Sequence, residues 1–311
     1  MKVFVAGATG TIGRPLVRQL VEAGHEVVGM TSTEANLPQL QALGAEAVVC
    51  DALDATAVKE AVARVEADVA ISQLTRLPKR GYDPRKVDYE PTNRARAEGG
   101  HNVLQAARAA GARRFITQSI AFIYAPEGEM VKAEDAPPWV DAPKPFRSGV
   151  EPTLRHEREV VDSEGIQGLV LRYGWFYGPG TYYASEGDIA DRVRRRRFPI
   201  VGRGEGVFSF IHVEDAASAT VAALDGGEAG TYNVVDDEPA SLREWLPVYA
   251  EILHAKRPFR VPAWLARVTA GEFAAALSTG LRGASNAKAK RELAWQPSHA
   301  SWREGFATAL G

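Results

Sequence analysis

Three glycines between a short apolar run and an amphipathic stretch constrain this chain more than anything else in it. Val3 to Ala6 are apolar and stop at Gly7. Gly7-Ala8-Thr9-Gly10-Thr11-Ile12-Gly13 follows, and Leu16, Val17, Leu20 and Val21 then recur at helical spacing until Gly24. A second apolar run, His25 to Met30, comes next. Strand, glycine turn, helix and strand within 30 residues is the setting of a dinucleotide-binding turn. Gly7 permits the tight turn, Gly10 lets backbone approach a pyrophosphate, and Gly13 lets the helix pack closely on its strand. The helix N-terminus then offers N–H groups and a positive dipole end to phosphate. Thr9, Thr11, Ile12 and Arg14 complete this expected cofactor contact.

The end of the second strand bears on which nicotinamide cofactor is bound. It reads Met30-Thr31-Ser32-Thr33, with no acid before Glu34. A carboxylate there would accept from a ribose 2′-hydroxyl and repel a 2′-phosphate. Its absence, with Thr31 and Ser32 as donors and Arg14 as counter-charge, predicts NADP, with NAD as the alternative. Asp51, after a third strand at 48–50, is placed to touch an adenine edge or to cap the helix beginning near Ala55. Leu74 follows the fourth strand, 68–73, and opens a proline- and arginine-rich loop over 74–91.

Further along, a helix is expected over 93–110, a strand over 115–119, a long loop over 126–152, a helix over 150–164 and a sixth strand over 168–172. Strands that are apolar throughout and alternate with helices predict a doubly wound parallel sheet of Rossmann type. After Gly178 the alternation breaks into small pieces, which predicts a smaller, discontinuous C-terminal substrate lobe. The expected division is 1–172 with a return segment at 208–235, and 173–311.

Composition removes other classes. The 311 residues carry 37 Lys and Arg against 39 Asp and Glu, a net charge of −2, without the basic footprint that nucleic acid requires. The one cysteine, Cys50, permits no internal disulfide and fits a reducing compartment. No apolar run spans a bilayer, and the N-terminus lacks signal-peptide character, so a cytoplasmic protein with no membrane partner is expected. No metal is expected, because no His/Cys/Asp cluster shows ligand spacing.

The chain resembles the extended short-chain dehydrogenase/reductases, in their NAD-dependent epimerase/dehydratase branch. The resemblance rests on the glycine turn, Arg113-Arg114-Phe115-Ile116 with Ser119 and Tyr124, Leu171-Arg172-Tyr173-Gly174-Trp175-Phe176-Tyr177-Gly178-Pro179-Gly180, Phe210-Ile211-His212-Val213-Glu214-Asp215, and Tyr232-Asn233-Val234. It implies an NAD(P)-dependent oxidoreductase acting on a carbonyl or hydroxyl of a small molecule, as a monomer or homodimer. It also implies a Ser/Thr together with a Tyr and a Lys spaced Y-x-x-x-K on the helix after the long loop.

That helix reads Gly149-Val150-Glu151-Pro152-Thr153-Leu154-Arg155-His156-Glu157-Arg158-Glu159, with neither tyrosine nor lysine. The best register sets Glu151 at the tyrosine position and Arg155 near the lysine. Counting four back from Tyr124 gives Ile120, one residue from Ser119. The expected replacement set is Ser119, Tyr124, Arg155 and Tyr173, converging above the nicotinamide. Arg155 would stabilise developing alkoxide charge, since its pKa above ~12 bars it from acting as a base. Trp175 and Tyr177 are expected to wall an aromatic substrate site and Arg203 to meet an anion. The alternatives are a cofactor-bound sensor without catalysis, or a non-redox isomerase or epimerase.

Overall fold

The computed structural model describes residues 1–78, 81 and 88–310; residues 79–80 and 82–87 of the expected 74–91 loop lie outside it. The first half contains β1 (Lys2–Ala6), α1 (Gly13–Glu22), β2 (Glu26–Thr31), α2 (Leu37–Ala42), β3 (Glu46–Val49), α3 (Ala55–Val65) and β4 (Val69–Ser72). Then α4 (Glu90–Arg94) runs through a π-helical turn (Ala95–Gly99) into α5 (Gly100–Ala109), followed by β5 (Arg114–Ile120), β6 (Val131–Lys132), α6 (Arg147–Val161) and β7 (Gln167–Tyr173). Next come β8 (Trp175–Tyr177), α7 (Asp188–Arg194), β9 (Ile200–Val201), β10 (Val207–Phe208), β11 (Phe210–His212), α8 (Val213–Ala222) and β12 (Gly230–Val234). The rest is β13 (Ala240–Ser241), α9 (Leu242–Ile252), β14 (Arg260–Val261), α10 (Ala263–Ala270), α11 (Glu272–Gly280), β15 (Gly283–Ala284), α12 (Ala287–Glu292) and α13 (Trp302–Leu310).

Seven strands form one parallel sheet in the order β12-β7-β5-β4-β1-β2-β3. Alternation along β1 explains the two layers. Val3 and Val5 point to the side where α1 packs on α8, and Phe4 and Ala6 to the side of α3 and α5. Every one of these side chains is fully buried, and burying each such Val or Phe contributes about 1.5–3 kcal/mol. A third cluster, outside the sheet, is aromatic: Tyr177, Tyr183, Phe208, Phe210, Trp245, Tyr249, Trp302 and Phe306.

Local details depart from the sequence reading. Asp54, not Asp51, caps α3, its Oδ1 accepting from the Ala57 N–H at 3.0 Å. The helix after the long loop begins at Arg147, three residues early. The expected 93–110 helix starts at Glu90 and loosens to π geometry in its middle. In the tail, Gly271 at φ +89° separates α10 from α11. Among the described residues no helix is long and apolar enough to cross a membrane.

Candidate active site

The glycine turn lies at the C-terminal end of β1, next to the central strand β4, where open parallel sheets bind ligands. Gly7 sits at φ +80°, and a Cβ on it would lie 2.5 Å from the Gln73 carbonyl oxygen. A Cβ on Gly13 would lie 2.2 Å from the Gly7 carbonyl. Only glycine closes this turn. Ile12, buried, precedes α1, whose N-terminus has no side-chain cap and no acid in its first turn. Its orphan N–H groups and positive dipole end are left for an external anion. A cradle that a methyl group would fill and an uncapped helix start together fit a dinucleotide pyrophosphate.

The residues around it take varied positions. Thr11 Oγ1 donates to the Gly180 carbonyl at 3.4 Å, and the exposed Arg14 reaches the same loop, a Cβ on Gly180 lying 3.1 Å from its Nη2. Thr31 is buried rather than open to a phosphate, and its Oγ1 accepts from Asn36 Nδ2 at 2.9 Å. The same amide reaches Thr9 Oγ1 at 3.3 Å. Asn36, in a 3-10 turn (Glu34–Asn36), thus ties the glycine turn to the end of β2, which the sequence reading missed. Ser32 is exposed beside them. Asp51 accepts from the Leu53 N–H and pairs with Arg76 at 3.3 Å. Leu74 is buried, and its carbonyl accepts from Gln118 Nε2.

The four residues expected to share the chemistry do not converge. Ser119 Oγ donates to Glu157 Oε1 at 2.5 Å. Glu157 grips Arg172, and Arg172 Nη1 donates to the Tyr124 hydroxyl at 3.0 Å. That hydroxyl donates in turn to Asn233 Oδ1 at 2.6 Å. Ser119, Glu157, Arg172, Tyr124 and Asn233 are all buried. They form a satisfied internal network, and burial raises the Tyr124 pKa against the pull of Arg172.

Tyr173 faces the other side of the sheet. Its hydroxyl lies 3.0 Å from Gln73 Nε2 and 2.7 Å from Thr220 Oγ1, and burial pushes its pKa up to about 12. Arg155 is exposed on the outside of α6, in a groove with Glu90, Asn93, His101 and Glu159. Glu151 is exposed as well. The i, i+4 pair that α6 turns inward is Val150 and Leu154, one residue back from the expected register, and it packs with Ile120 and Ile123. Helix packing against the end of β5 sets that register.

Beside this apolar cluster stands an aromatic wall. Trp175, half-buried, stacks on Phe122 with ring centroids 4.2 Å apart; Phe122 meets Phe146 at 6.1 Å, and Phe146 stacks on Phe273 at 5.1 Å. Tyr177 is not part of the wall. It is fully buried among Phe210, His212 and Phe306, its hydroxyl unpartnered. Arg203 is exposed and paired with Glu205 at 3.1 Å.

Among the described residues one His/Asp group comes together, His212, Asp215 and His299, with one potential ligand atom of each within 4.8 Å of the others. Several of its polar atoms are hydrogen-bonded within the protein. Asp215 accepts from the Ser298 N–H and hydroxyl and from the His299 N–H and ring, and His212 Nδ1 accepts from the Glu214 N–H. The group clasps the 298–299 loop to the start of α8.

A sequence model of the NAD dependent epimerase/dehydratase family matches residues 3–235. The chain belongs to this family. It is an NAD(P)-dependent oxidoreductase acting on a small molecule. Over 306 residues it is 45% identical to a 3-diazoavenalumate denitrifying reductase from a Streptomyces species, covering 98% of this chain and 99% of that one. A 2-alkyl-3-oxoalkanoate reductase of Stenotrophomonas maltophilia is 27% identical over 254 residues, 78% of this chain and 73% of the relative. In fold, the chain matches UDP-glucose 4-epimerase of Thermotoga maritima at a TM-score of 0.76 and 20% identity, over 99% and 97% of the two chains. A human epimerase family protein crystallised with NADPH gives 0.75 at 19% identity, covering 99% of each.

Proposed function

We propose that this enzyme reduces a diazo-bearing aromatic compound, replacing dinitrogen on a ring carbon with hydrogen. The observation that carries the reading is the apolar trio Ile120, Val150 and Leu154, which we read as standing where the family has its hydroxyl, tyrosine and lysine. A ketone reduced by hydride becomes an alkoxide that needs a proton, and a positioned acid is worth about 10²–10⁴-fold in rate. An arenediazonium needs none. The cofactor supplies hydride when bound; the ring carbon accepts it, the C–N bond breaks, and its electron pair leaves with N2, so that ArN2⁺ + H⁻ gives ArH + N2.

The chain's own residues suit such a substrate. Phe122, Phe146 and Trp175, all half-buried, form an apolar aromatic surface that suits a flat aromatic molecule, and an aromatic face attracts a cation at about 0.5–2 kcal/mol. An apolar lining excludes water, which would otherwise compete for the reactive carbon. The 45% identical relative is named for reducing a diazo compound, which supports the same reading. The Gly7–Gly13 cradle would hold the cofactor. We take it to be NADP, because β2 ends without a carboxylate, Ser32 lies exposed at that end, and Arg14 is exposed in the first turn of α1.

The test is turnover with NADPH and NADH on two panels, ortho-hydroxyarenediazonium acids and simple ketones. N2 release and dediazotised arene are expected with NADPH preferred. Saturable ketone reduction with no action on the diazo panel would overturn the reading.

A further inference from the structure

The net charge of −2 conceals a strongly basic face. Six arginines lie between Asp191 and Glu205, and Lys256, Arg257, Arg260 and Arg267 lie between Glu251 and Glu272, with no acid in either stretch. The two stretches, distant in sequence, meet in the structure. β9 pairs in parallel with β14, Ile200 opposite Arg260, and the Ile200 N–H donates to the Phe259 carbonyl at 2.9 Å. Arg196 lies over the Phe259 ring, its Cζ 5.5 Å from the centroid. Arg195 and Arg203 are paired with the flanking acids Asp191 and Glu205. Among the described residues Lys256, Arg257, Arg260 and Arg267, all exposed, have no carboxylate partner.

α10, which follows β14 directly, adds apolar side chains to this face. It turns Ala266 inward, where Val201 and Ala275 pack with it. Trp264, Arg267 and Val268, spaced i, i+3 and i+4, share another side of the helix. Trp264 is 65% exposed and Val268 79%. Phe259, just before β14, is open as well. Exposed apolar side chains with a charged rim mark a contact surface.

We infer that this face docks the protein on an anionic membrane surface. An indole ring is at home at headgroup depth, where its apolar body meets acyl chains and its N–H meets water. Lysine and arginine heads around it reach lipid phosphates while their stems lie along the apolar patch. Docking of this kind needs no spanning helix, and among the described residues no helix is long and apolar enough to be one. A nucleic acid would engage the cations but leave Val268 in water. A second copy of this chain, joined through the same face, would set like charges against each other. The inference rests on neither the cofactor turn nor the reaction proposed for the crevice.

Vesicle flotation of the full chain tests it, with phosphatidylcholine alone and with an equal mixture of phosphatidylcholine and phosphatidylglycerol. Wild type is expected to float with the mixed vesicles, not with phosphatidylcholine, and to be released by high salt, which screens the charges. Replacing three cations together, Lys256→Gln, Arg257→Gln and Arg267→Gln, should lower the partition coefficient about 100-fold, from about fivefold per charge. Trp264→Ala with Val268→Ser should lower it about tenfold at unchanged charge. All five positions are exposed, so Tm should stay at the wild-type value in both variants. Absence of flotation with mixed vesicles, equal flotation with both kinds, or binding that survives either set of substitutions undiminished would each overturn the proposal. So would tighter binding of a single-stranded oligonucleotide than of mixed vesicles, which would make the face a nucleic-acid site.

Discussion

Glu157 holds Arg172 with both carboxylate oxygens, Oε2 at 2.6 Å from Nη2 and Oε1 at 3.0 Å from Nε, across the gap between α6 and β7. Both side chains are buried. The pair fixes α6 to the sheet in the register that turns Val150 and Leu154 inward, and it occupies Ser119 and Tyr124, the two hydroxyls nearest the expected acid position. The family resemblance implies proton transfer in that region; in the function proposed above it holds the walls instead.

Replacing one partner should therefore act on stability. Glu157→Gln leaves the Arg172 guanidinium buried with a neutral neighbour, and losing one half of a buried pair costs about 3–5 kcal/mol. Chemical denaturation should show a loss of that order. A loss below about 1 kcal/mol, the value of an exposed pair, would mean that solvent reaches the network.

Turnover should be indifferent to the two hydroxyls. Ser119→Ala and Tyr124→Phe each remove a hydrogen bond from the network and are expected to cost about 1–3 kcal/mol of stability. Neither should lower kcat with the proposed substrate by the 10²–10⁴-fold that loss of a general acid brings. Parallel melting curves and steady-state kinetics separate the two effects.

Cofactor binding should depend on the turn alone. Gly13→Ala places a methyl 2.2 Å from the Gly7 carbonyl, so the turn must open and the cradle is lost. NADPH should no longer quench tryptophan fluorescence or raise Tm, while β1 still pairs with β2 and β4 and α1 still packs on α8. Retained NADPH affinity in this variant would remove the glycine turn as the cofactor site.

Acid should loosen the clasp between the 298–299 loop and the start of α8. His212 is buried, and that burial, reinforced by the His299 ring stacked 3.9 Å away, lowers its pKa from 6.5 to about 4 against the pull of Asp215 and Glu214. Between those values the unfolded chain takes up a proton that the folded chain refuses. The contribution is whole above about pH 6.5 and is lost as pH falls towards 4, up to about 3 kcal/mol. His212→Asn keeps a cap for α8 and should flatten the stability profile across this window in denaturant titrations.

The sheet was legible because its signals are local. Glycines 7, 10 and 13, the apolar runs and the missing carboxylate after Met30 each act within a few residues. The absence of Tyr and Lys from α6 was legible in the same way, but the register was not. Whether Glu151 and Arg155 or Val150 and Leu154 face inward is decided by Ile120 and Ile123, distant in sequence. Tyr173 and Tyr177 read as site residues because they follow a strand end; tertiary packing buries both hydroxyls. Asn36 gave no signal at all, since it matters only because it bridges Thr9 and Thr31 in space.

The origin of the hydrogen in the product tests the central claim, hydride delivery without a proton donor. An ortho-hydroxyarenediazonium acid would be turned over with NADPH deuterated at C4 in ordinary water, and with ordinary NADPH in D2O. The account predicts deuterium at the former C–N position in the first experiment and none there in the second. Deuterium entering that carbon from D2O would contradict it.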